Sequence, residues 1–188
     1  CVEFTGGTAI GNLVTALAGT GGASGFIFGF TDKWVWDPIG HAGYFAGMDH
    51  GSTCPRFVKY NESTHAMETL SLTGFLAAKA CATPALHGYH HNAIDVIGRK
   101  LYHRPYNSLT TNSYDLTAGG PWVALTAIGS GTGASQSEQT NITAGVDFLP
   151  WLGSQGWLMQ HSSEDGNNNT LMRWDPAAAT WDTPTGWN

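Results

Sequence analysis

From Phe4 to Thr31 the chain carries no charged residue, and glycine recurs throughout, at Gly6, Gly7, Gly11, Gly19, Gly21, Gly22, Gly25 and Gly29. Strongly apolar side chains are few there: Phe4, Ile10, Leu13, Val14, Leu17, Phe26, Ile27, Phe28 and Phe30. The stretch is long enough to cross a bilayer but is diluted by Gly, Thr and Asn12. Such an arm must be covered by its own core, by a neighbouring subunit or by a membrane. Its aromatic residues Phe26, Phe28 and Phe30 are therefore candidate binding residues.

The rest of the chain narrows the class. Its 188 residues suit a single domain, 1–188, with the uncharged arm (4–31) at one end and a Trp/Pro-rich tail (174–188) at the other. Charged residues are 12% of the sequence, about half the usual share, and Gly, Thr, Ser and Asn take their place. That balance points to a β-rich extracellular protein. The net charge of −6 and the thin scatter of basic residues exclude nucleic acid as a partner.

Three sequons, at Asn61, Asn141 and Asn168, are candidate glycosylation sites and fit secretion. Of the three cysteines, Cys54 and Cys81 are the expected disulfide, closing a loop worth on the order of 3 kcal/mol. Cys1 is then left over for an intermolecular bond. A chain numbered from Cys reads as processed, with a leader removed.

Turn signals are dense. Strands are expected over 25–30, 33–36, 43–48, 56–60, 121–128, 142–151, 156–160 and 170–174. The segment 64–80 fits helix or strand. One helix is expected from Pro84 to His103, with Thr83 as cap and Leu86, His90, Ile94, Ile97 and Leu101 along one stripe, ending before Pro105. The sequence shows no repeat of 20–50 residues. The expected fold is α+β: an antiparallel sheet or sandwich with one or two helices on one face.

Chemistry is sparse. On the predicted helix, His87, His91 and Asp95 would share a face and could ligate zinc or copper, but no HExxH or CxxC partner supports them, so ordinary surface histidines are the better reading. His41, Asp49, His50 and Ser52 cluster without a Gly-x-Ser-x-Gly elbow. Cys1 could act as an N-terminal nucleophile through its own amine, although no Arg or Asp follows to hold a substrate. No cofactor is expected.

Trp174, Trp181 and Trp187 in the Pro-broken tail are candidate glycan- or lipid-binding residues. Three functions follow. The first is a secreted, non-enzymatic protein acting at a cell surface, as toxins, effectors and lectins do, with a membrane or glycan as partner. The second is a self-assembling extracellular subunit whose arm packs on an identical copy. The third is an amidohydrolase built on Cys1. The first leads.

Overall fold

A computed structural model describes residues 34–47, 56–75, 92–104, 110–127, 145–152, 156–162, 170–176 and 178–182. Among these the protein is all β. Twelve strands form three four-stranded antiparallel sheets, each a meander in chain order. The first holds β1 (Val35–Asp37), β2 (Ala42–Gly47), β3 (Arg56–Asn61) and β4 (Ala66–Thr69). The middle sheet holds β5 (Asn92–Asp95), β6 (Lys100–His103), β7 (Asn112–Asp115) and β8 (Val123–Ala124). The third holds β9 (Gly145–Leu149), β10 (Trp157–Ser162), β11 (Thr170–Asp175) and β12 (Thr180–Asp182).

The sheets stack face to face, with β1 lying against β5 and β5 against β9. Strand alternation decides what each interface contains. Val35, Ala42, Tyr44, Ala46 and Phe57 face the middle sheet and meet Ile94, Leu101 and Trp122. The opposite face of the middle sheet offers Ala93 and Tyr102 to Val146, Leu158, Met172, Trp174 and Trp181. A strand packed between two sheets needs apolar or satisfied polar residues at every position, which is why β5 is buried along its whole length.

The α+β expectation is thereby corrected: the described residues include no helix. The predicted helix from Pro84 to His103 contains instead the hairpin β5–β6. Asp95 ends β5, and Arg99 takes φ +55°, a left-handed conformation that no α-helix interior accepts. Ile94 and Leu101, seven residues apart, would stack on one helix face; they are paired directly across the hairpin. The ambiguous segment 64–80 contains β4, and the tail begins at the end of β11 and contains β12. No described helix is long and apolar enough to cross a membrane.

Candidate binding surface

The two ends of the stack differ. At one end, hairpins close by tight turns headed by an Asx residue. Asp37 Oδ1 accepts the Ile39 N–H (3.0 Å). Asn61 Oδ1 accepts from the N–H groups of Ser63 (2.9 Å) and Thr64 (3.2 Å). Asp95 does the same for Ile97 (2.9 Å) and Gly98 (2.6 Å), and Asp115 for Thr117 (2.9 Å) and Ala118 (2.7 Å). Asp175 accepts from Ala178 (3.1 Å). Four residues after each Asx the chain turns left-handed, at His41, His65, Arg99, Gly119 and Ala179. A short acceptor at the first position and an αL residue at the last close the loop without breaking the register.

One of these acids also ties two sheets together. Asp37 is fully buried, and Arg99, from the next sheet's turn, grips it with both guanidinium nitrogens at 2.5 Å. Burial pushes the Asp37 carboxyl up, but Arg99 and the turn's N–H donors outweigh it and hold the group below the usual carboxylate range. Asp95 occupies the same place in the middle sheet. There burial outweighs the turn's N–H groups and raises its pKa.

The same end carries large exposed apolar side chains. Ile39 (60% exposed) and Ile97 (48%) sit at equivalent places in the first hairpins of the first two sheets. Trp151 (73%) occupies the connection between β9 and β10, the corresponding hairpin of the third. Because β1, β5 and β9 are neighbours, these three tips belong to hairpins of adjacent sheets. Trp36 (45%) lies on the outer face of the first sheet, one residue before the Asp37 turn.

The opposite end gathers polar side chains, but they are sealed. Asn92, His103, Arg104, Thr111 and Asn112 are all buried. Asn92 Nδ2 donates to the Ala46 carbonyl of the first sheet (2.8 Å), so its Oδ1 accepts from His103 Nδ1 at 3.0 Å. The His103 ring lies 5.0 Å from that of Phe75 and against Gly47, and burial pulls its pKa down to about 3. Burial likewise lowers Arg104 to about 10. This cluster joins sheets and is structural.

The sequence-derived candidates distribute as follows. Trp174 and Trp181 are 5% and 7% exposed, paired across β11 and β12 with ring centroids 5.3 Å apart. Trp181 Nε1 donates to the Thr126 carbonyl (2.9 Å), so both rings belong to the core between the middle and third sheets. Asp95 is a turn acid in a strand, and no group of three potential metal ligands occurs among the described residues. Asn61 heads an Asx turn with Ser63 exposed beside it. Cys1, Phe26, Phe28, Phe30, Cys54, Cys81, His87, His91, Asn141, Asn168 and Trp187 lie outside the described residues. The exposed Trp36, Ile39, Ile97 and Trp151 were not singled out as binding residues by the sequence.

No family profile matches the chain, and no curated protein resembles it in sequence. Among solved structures it is similar to TolB from Acinetobacter baumannii, with a TM-score of 0.47 and 11% identity over 81% of this chain. The match spans 32% of that protein's length, about a third.

Proposed function

We infer that this chain is a secreted, non-enzymatic binding module that acts at a cell surface through its apolar hairpin tips. The observation that carries the reading is the exposure of Ile39, Ile97 and Trp151 on the corresponding hairpins of three adjacent sheets. Exposed residues of this size, recurring on corresponding hairpins, are the kind that mark a contact surface. Successive four-stranded meanders with their first strands side by side are the blade arrangement of β-propellers, and we read the three sheets as such blades. A rigid stack of this kind holds turn residues in fixed relative positions, which lowers the ordering cost of binding. The low charge content and the three sequons support the extracellular setting.

The test is binding of fluorescently labelled protein to intact erythrocytes and bacterial cells, followed by flow cytometry. The triple variant I39S/I97S/W151S is expected to lose at least about tenfold in binding, roughly 1.4 kcal/mol, with its melting temperature unchanged. Wild-type protein that stains neither cell type, or a triple variant that stains equally well, would refute the reading.

A further inference from the structure

Beside the tips, the outer face of the first sheet carries an amphipathic cluster. Trp36, Gly43, Tyr60 and Met67 are consecutive partners across β1, β2, β3 and β4. Gly43 has no side chain, and the Trp34 and Trp36 rings lie over it: a Cβ placed there would touch Trp34 Cε3 at 3.6 Å and Trp36 Cε3 at 3.8 Å. The Trp34 ring is backed by Phe45 at 5.8 Å. Trp36 stays 45% exposed, whereas Tyr60, Phe45 and Val58 on the same face are buried, so the Trp36 ring is the part of the cluster that water reaches.

One step toward the turns, the side chains become polar. His41 and Glu62 close the row, with His41 Nδ1 donating to Glu62 Oε2 at 2.9 Å. Their side chains are 69% and 43% exposed. His65 follows, its Nδ1 at 2.8 Å from the Tyr60 hydroxyl. His41 and His65 both hold left-handed backbone, φ +48° and +51°, at the closing position of their Asx turns, where Gly is the least strained choice.

We propose that this cluster binds a pyranose sugar, the C–H face of the ring stacking on Trp36 and neighbouring hydroxyls bonding to His41 and Glu62. The proposal deepens the cell-surface reading and rests on it for its setting. A pyranose has one apolar face and a hydroxyl edge, the same division that Trp36 and the His41–Glu62 pair present. An apolar peptide laid here would strip water from the carboxylate and imidazole without replacing their hydrogen bonds. An acidic ligand would meet Glu62 on a chain of net charge −6.

The experiment titrates the methyl pyranosides of glucose, galactose, mannose and N-acetylglucosamine into the protein up to about 100 mM, a range that captures weak single-sugar affinities. It reads tryptophan fluorescence and saturation-transfer NMR. At least one glycoside is expected to bind saturably. W36A should weaken that binding at least tenfold. H41G relieves the left-handed strain and should leave the melting temperature equal or higher, yet weaken binding at least fivefold. No saturable binding by any glycoside, or unchanged binding in W36A or H41G, overturns the proposal. I39S/I97S/W151S keeps this cluster, so sugar binding with loss of cell binding, or the reverse, separates the two claims.

Discussion

Asp37 and Arg99 offer the sharpest test of what joins the first sheet to the middle one. The Asp37 side chain is 1% exposed and that of Arg99 21%. Removing one partner of a buried pair costs about 3–5 kcal/mol because the other charge is left desolvated. Arg99 can partly rehydrate, so D37A should fall near the lower end for the pair, about 3 kcal/mol. It also deletes the acceptor of the Ile39 N–H, a cap-like loss of about 1 kcal/mol. R99A strands the carboxylate beneath the turn with only backbone donors, again about 3 kcal/mol. Once either partner is gone the second substitution has little left to break, so D37A/R99A should cost about 4 kcal/mol, not about 7. D37N separates the contributions: its amide oxygen still accepts from the turn, but the charge is absent. The assay is urea unfolding followed by tryptophan fluorescence. Single costs below about 1 kcal/mol, or effects that add within about 0.5 kcal/mol, would refute the reasoning.

Two further outcomes follow from buried or strained positions. His103 is held neutral by burial with a pKa of about 3, whereas the unfolded chain takes up its proton near pH 6.5. Stability should therefore be constant above about pH 7 and fall as the pH drops, by about 2 kcal/mol at pH 5. Asp37 and Asp115, both shifted downward, add nothing in that window, because their linked loss begins near and below pH 4, whereas Asp95, raised by burial, works in the opposite sense to His103 as its carboxyl takes up a proton. A urea midpoint equal at pH 7 and pH 5 would contradict this. Ala179 is exposed at φ +52°, so A179G should raise stability by up to about 1 kcal/mol; a lower urea midpoint would show that the turn is not strained.

The strands of the first sheet were legible because their chemistry is local. The run Gly43–Met48 and the run Arg56–Tyr60 are bounded by turn residues and fall close to β2 and β3. The helix expected at Pro84–His103 failed for a geometric reason. A hairpin with a four-residue turn pairs residues seven apart, and seven residues are also two helical turns. Ile94 with Leu101, Trp36 with Gly43, Tyr60 with Met67 and Trp174 with Trp181 are all such pairs. The Trp174–Trp181 spacing was visible, but its meaning depends on the turn at 176–179. The repeat was hidden for a similar reason. Equivalent turns start at Asp37 and Asp95, and at Asn61, Asp115 and Asp175, intervals longer than those of common repeat arrays, and only an Asx and a left-handed residue recur. The exposed tips carried no sequence signal, since a lone isoleucine in a turn looks like any other apolar residue until its neighbours are placed.

Strands β5 and β6 of the middle sheet have no solvent-facing side of their own: Ile94 and Leu101 look one way, Ala93 and Tyr102 the other. Neither strand could persist once either flanking sheet detached. Local opening that exposes those amides must therefore dismantle an interface first, so the slowest-exchanging hydrogens of the molecule should belong to β5 and β6. Damage to an outer sheet would then propagate inward, and the three sheets would melt as one cooperative body.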